Sequence, residues 1–160
     1  MSIYPKIATW SYVRAISIIF LLAIHSTPYG GQLEGPSGYW KVSCEDMASG
    51  GFLDFRADAS KMEVNPNQIL ISVNSHRAES GRFSLYLSEP LDLGAGGMRL
   101  SWDRFSSETP IATFVILDDA RARFKWYGFW HIDMNTYVWS DEHAFVQQTT
   151  ERPVALTRCE

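Results

Sequence analysis

The chain has 160 residues, 46% of them hydrophobic and 20% charged, the composition of one globular domain able to bury a core. Its formal net charge of −4 lacks the basic excess that nucleic acid or an anionic membrane surface requires. Aromatic residues reach 14%, a share that suits strands, where flat rings pack on a pleated surface.

Residues 1–30 read as a cleaved signal peptide. Lys6 and Arg14 give a positive start, Ala15 to Ile24 is an apolar run of ten, and a polar stretch from His25 to Gly30 follows. Ten apolar residues are too few to span a bilayer, which takes about 20. The competing reading is an N-terminal helix packed on the domain. With Lys6 and Arg14 removed, residues 31–160 hold twelve Lys and Arg against eighteen Asp and Glu, a balance of −6. That balance permits a basic protein partner through long-range attraction. The expected location is periplasmic or secreted, with no transmembrane span after processing.

Past the leader the chain reads as short strands with turn-rich breaks and no long helical periodicity. The first strand is Tyr39 to Glu45, followed by Phe52 to Arg56 and Lys61 to Val64, with Asn65, Pro66 and Asn67 as a turn. Gln68 to Asn74 alternates with Ile69, Ile71 and Val73 on one side. Arg82 to Ser88 repeats the pattern, and His76 to Gly81 reads as the loop between them. Pro90 to Gly97 is a break, and Met98 to Arg104 alternates again as a half-buried strand.

Two later segments are apolar on both faces. Ile111 to Leu117 is one, and Arg123 to Ile132 is the other, joined by a turn at Asp118 and Asp119. In a continuous strand, Phe124, Trp126 and Trp130 would share one face. Tyr127, Phe129 and His131 would share the other with Arg123 and Lys125. Tyr137 to Ser140 is a short strand, Glu142 to Gln148 allows a turn or two of helix, and Val154 to Cys159 closes the chain.

Short strands at regular spacing, joined by short links, predict an all-β fold, a single antiparallel up-and-down barrel of eight or nine strands over residues 31–160. A sandwich is the competing architecture. Cys44 and Cys159 are the only cysteines, and an exported domain pairs them. Bonding them sets the first strand beside the last, as closure of a meander requires. An outer-membrane barrel is excluded by charges such as Arg99 and Asp103 on outward faces and by the Thr-Arg-Cys-Glu ending.

Gly38, Tyr39 and Trp40 open the first strand, and Arg158 lies in the last. This resembles the Gly-x-Trp of the calycin barrels, the lipocalins and the small bacterial inhibitor barrels similar to them. The resemblance implies that Trp40 plugs one end of the barrel and that Arg158 covers it, a cation–π contact of about 0.5–2 kcal/mol. The chain is short and has no clear helix after its last strand, so a lipocalin's ligand cavity does not follow. A Trp that simply starts a buried strand would read the same way.

The chemistry-bearing residues form no motif of a known reaction. His76, His131 and His143 have no ligand spacing, although His131 and Asp133 share a strand face, and neither a metal nor a cofactor is expected. There is no nucleophile elbow, and the carboxylate pairs Glu45–Asp46 and Asp118–Asp119 sit at strand ends. No catalytic residue is assigned. The feature in excess is the aromatic–basic strand of Arg123, Lys125, Tyr127, Phe129 and His131, whose second face needs a cover, either a bound partner or the Glu142 to Thr150 segment folded back over it. The expected function is therefore non-enzymatic binding or inhibition of a protein partner in the cell envelope, with Asp118 and Asp119 as contacts for a basic surface. The alternatives are a carrier of a small apolar ligand and an enzyme whose site lies inside the barrel.

Overall fold

A computed structural model describes residues 35–45, 51–56, 59–65, 69–79, 81–140, 144–147 and 152–160. The expected leader, Asp46, Glu142 and His143 lie outside these residues. Ten strands follow in chain order: β1 (Tyr39–Lys41), β2 (Phe52–Asp54), β3 (Ser60–Asn65), β4 (Ile69–Glu79) and β5 (Arg82–Leu93) come first. β6 (Pro110–Ile116), β7 (Arg121–Trp126), β8 (Phe129–His131), β9 (Thr136–Val138) and β10 (Val154–Cys159) complete them. Eight form a closed antiparallel barrel in the order β1-β10-β7-β6-β5-β4-β3-β2, and β8–β9 is a separate two-stranded hairpin inserted between the last two staves. The barrel is up-and-down, as the short links between successive strands predict.

Alternation fixes which side chains fill it. Inward positions line up across the ladders: Trp40 opposes Leu53, Leu53 opposes Met62, and Met62 opposes Ile71. On the other wall Phe83 opposes Phe114, Phe114 opposes Phe124, and Phe124 opposes Val154. All are buried. Phe114 meets Trp40 edge-on at 5.2 Å and Phe55 at 5.3 Å, so large rings span the interior. Ala112 sits between Leu85 and Trp126, a small residue making room for a large one.

The barrel is tied at its seam. Tyr39 pairs with Cys159, Trp40 with Arg158, and the Cys44–Cys159 disulfide, with Cα atoms 5.6 Å apart, links the first strand region to the last.

Several elements differ from the sequence expectation. β1 stops at Lys41 instead of Glu45. β4 and β5 run eleven and twelve residues, so His76 lies in a ladder, not in a loop. Pro90 pairs with Ile71 inside β5, with register shifts on both sides of it, the bulged setting that tolerates a residue without an N–H. Met98 to Arg104 is not a strand. It forms 3-10 turns at Gly97–Arg99 and Trp102–Arg104, where Trp102 Nε1 donates to the Gly97 carbonyl at 2.9 Å. The preceding Gly94, Gly96 and Gly97 offer no side chains to hold a ladder, and local turn bonds win.

The expected strand from Arg123 to Ile132 breaks at Gly128, whose φ is +107°. That left-handed residue reverses the alternation. Phe129 enters the core and Trp130 turns outward, the opposite of the continuous-strand assignment. Around Phe129 stand Phe105 at 5.1 Å, Trp102 at 5.2 Å and Trp126 at 5.3 Å, and this ring cluster caps the barrel end away from Arg158. From the 3-10 turn Ala144–Gln147, Phe145 reaches Phe124 at 4.7 Å.

Candidate functional site

With large rings filling the barrel, the grooves flanking it are lined mainly by loop residues and outward side chains, with a few buried wall residues such as Ile69 and Leu156 at their floors. Two outward features combine exposure with order: the β8–β9 hairpin and the outer face of β5, β6 and β7.

The hairpin is braced by the 3-10 turn before β6. Ser106 N–H donates to the Trp130 carbonyl and Ile132 N–H to the Arg104 carbonyl, each at 2.9 Å, with Phe105 bridging His131. Arg104 also holds Asp133 at 3.1 Å. His131 Nδ1 accepts from Met134 N–H at 3.3 Å, and Asn135, at φ +49°, completes the tight reversal. On the far side Tyr137 donates its hydroxyl to the Pro110 carbonyl at 2.9 Å, and Trp126 Nε1 donates to the Trp139 carbonyl at 2.8 Å. This framework leaves two apolar side chains at the tip in water: Ile132 is 54% exposed and Met134 60%.

The outer face of the adjoining wall is basic and aromatic. Arg82, Val115 and Arg123 lie side by side across β5, β6 and β7, and Ser84, Thr113 and Lys125 form the next row. The Lys125 ammonium sits 5.3 Å from the Tyr127 ring, whose hydroxyl shares a hydrogen bond with Thr113. Tyr127 contacts Tyr137, which meets Trp130 edge-on at 5.0 Å, so the aromatic row runs from barrel to hairpin. Burial raises the Tyr137 phenol above its usual pKa, and Tyr127 and Tyr86 add to the shift. Arg82, Thr113, Val115, Leu117, Arg123, Lys125, Tyr127 and Pro153 line a shallow groove of about 340 Å³.

The residues singled out in the sequence thus separate. Arg123, Lys125 and Tyr127 share the outer face of the barrel, while His131 stands half-buried on the hairpin. Phe129 is wholly buried and cannot be a contact residue, because Gly128 turns it inward. Asp118, at the β6–β7 turn, is held by Arg121 Nε at 2.7 Å and by the N–H groups of Ala120 and Arg121. The Arg121 side chain first, and then the Ala120 N–H, keep its carboxyl below the usual range. Its charge is therefore largely answered within the turn. Asp119, next to it in the same turn, lines a groove of about 680 Å³ at the barrel end away from the hairpin, with Gly38, Arg56 and Arg158. There Trp40 is buried and the Arg158 guanidinium lies 5.9 Å from its ring centroid, while Gly38, at φ +102°, lets the arginine pass close to the backbone.

His131 and Asp133 do not converge as ligands, since each is engaged by a different neighbour; among the described residues no group of three His, Cys, Asp or Glu is placed to hold a metal. Nor is any helix among them long and apolar enough to cross a membrane. Sequence reasoning passed over Arg82, Val115, Ile132 and Met134. Only the strand register brings Arg82 and Val115 beside Arg123. The Ile132-to-Asn135 stretch, with two apolar residues inside a turn, was the one available sign of the tip.

Compared with known proteins, the chain matches no family model, no curated protein and no solved structure.

Proposed function

We propose that the protein is an exported, non-enzymatic binding module that grips or inhibits a protein partner in the cell envelope. The observation that carries this reading is the braced hairpin, which holds Ile132 and Met134 in solvent on a framework of hydrogen bonds. Exposing two large apolar side chains on an ordered turn costs solubility and gains nothing for the fold. With the backbone of the turn braced, little backbone entropy is lost when a cleft closes over them. Export is supported by the Cys44–Cys159 disulfide, a bond that persists in oxidising compartments. The Trp40–Arg158 plug resembles that of the calycin-like inhibitor barrels and favours a small member of that class.

The carrier reading is weaker here. A ligand cavity needs several hundred Å³ of enclosed apolar space. Trp40, Phe55, Phe114, Phe124 and Phe145 instead meet one another across the interior.

The test is retention of envelope proteins by the immobilised full chain, with wild type compared against Ile132→Asp/Met134→Asp. Wild type should retain one protein in stoichiometric amount, and the double variant should lose it at an unchanged melting temperature. Equal retention by both, or co-purified lipid with no protein, would overturn the proposal.

A further inference from the structure

We infer that the outer face of β5, β6 and β7 docks an extended acidic segment of a protein partner. The inference rests on the reading that the partner is a protein, and it names the chemistry of a second contact beside the hairpin. On this face the outward side chains of β5 from Arg82 to Tyr86, of β6, of β7 and of β10 include Arg82, Arg121, Arg123 and Lys125, and the carboxylate beside them is Glu79 of β4, across the ladder from Arg82. Arg121 is spent on Asp118. Arg82 and Arg123 meet no carboxylate within ion-pair distance among the described residues, and Lys125 rests on the Tyr127 ring. Glu79 stands opposite Arg82 across the β4–β5 ladder, so the three cations and this one anion leave a local balance of +2 (3 − 1), against the −6 of residues 31–160 with twelve cations and eighteen anions.

The same imbalance selects the occupant. An extended anionic surface such as a lipid bilayer faces the whole domain and is repelled by its acidic remainder. A discrete acidic segment feels only the charges within about 8–10 Å of it, the screening length at physiological salt. Geometry adds to this. Alternate residues of an extended segment project carboxylates about 7 Å apart, the spacing of Arg123 and Lys125 along β7. Arg82 lies two strands away from Arg123 across Val115, about 10 Å off, and flanks the other side of such a segment. Between them Val115, Leu117 (50% exposed) and Pro153 give an apolar floor. The barrel is closed and has no edge in this wall, so an incoming segment cannot add as a strand. Recognition must run through these side chains.

The probe is a short peptide of alternating Glu and Ser, titrated into the isotopically labelled full chain at about 100 mM salt, where the screening length is about 10 Å. Saturable shifts should appear at the amides of Arg82, Val115, Arg123 and Lys125, and binding should fall steeply with salt. Arg123→Glu/Lys125→Glu should weaken it about tenfold, while Arg99→Glu, an exposed cation on a different loop, should leave it unchanged. No shift on this face, or an equal loss with Arg99→Glu, would overturn the inference. So would binding of phosphatidylglycerol vesicles through these residues in place of the peptide, or self-association of the chain abolished by the charge reversal. Ile132→Asp/Met134→Asp should leave peptide binding intact. Loss of the partner by that variant together with a peptide that does not bind would therefore defeat this inference alone.

Discussion

Replacing Gly128 by alanine should loosen the hairpin from the barrel mouth. Gly128 has φ +107°, where a side chain costs about 1–2 kcal/mol in backbone strain. A Cβ there would also collide with the Val138 carbonyl oxygen and come within 3.2 Å of the Ser140 nitrogen, both backbone atoms that yield only if the hairpin shifts. The hairpin is anchored by Phe129, buried among Phe105, Trp102 and Trp126. Withdrawing part of that ring from the core adds a loss bounded by the roughly 3 kcal/mol of a fully buried large side chain. The variant should therefore lose about 2–4 kcal/mol, read as a lower urea midpoint at constant slope. Amide exchange from Phe129 to Val138 should quicken more than exchange in β4 and β5, because the hairpin detaches before the barrel opens. A midpoint unchanged to within about 0.5 kcal/mol, with exchange at wild-type rates, would refute the account of Gly128 as the pivot.

Three further outcomes follow from the same geometry. Cys44→Ala/Cys159→Ala releases a bond across 115 residues, and the chain-entropy relation puts the loss at about 4–5 kcal/mol; calorimetry showing less than about 1 kcal/mol would mean that the seam holds without it. Arg158→Ala uncovers Trp40 and should cost about 0.5–1 kcal/mol while shifting its fluorescence to the red, whereas an unchanged spectrum would remove Arg158 from the plug. Burial raises the Glu63 carboxyl above its ordinary pKa of 4.5 against the pull of Lys41. The native state then binds this proton more tightly than the unfolded chain, and stability is lost as pH rises through the raised pKa. Glu63→Gln should be more stable than wild type at neutral pH and equal to it below the unfolded carboxyl pKa; a gain that persists in acid would contradict the cause.

The barrel was legible because its inward positions are almost all apolar, and a closed wall repeats that demand on every stave. Ile69, Ile71 and Val73, or Phe83, Leu85 and Leu87, need no partner strand to be read. The far arms of β4 and β5 were not legible. From Asn74 to Glu79 the β4 residues are mostly exposed and polar, held by backbone pairing that leaves no hydrophobic mark. Met98, Leu100 and Trp102 show the limit of alternation, since the same spacing fits turns in which Trp102 folds back to bond Gly97. At Gly128 a single positive φ exchanged the faces of Phe129 and Trp130, and no periodicity reports a dihedral angle. The basic groove depends on register: Arg82 and Arg123 are 41 positions apart and meet only because both flank Val115.

The protein's own rings occupy the barrel interior, which leaves recognition to the outside. Native mass spectrometry of the protein taken gently from the cell envelope measures this directly. The polypeptide should fly at its own disulfide-bonded mass, alone or with a protein bound. A one-to-one lipid or other small apolar adduct, surviving until the barrel unfolds, would contradict it.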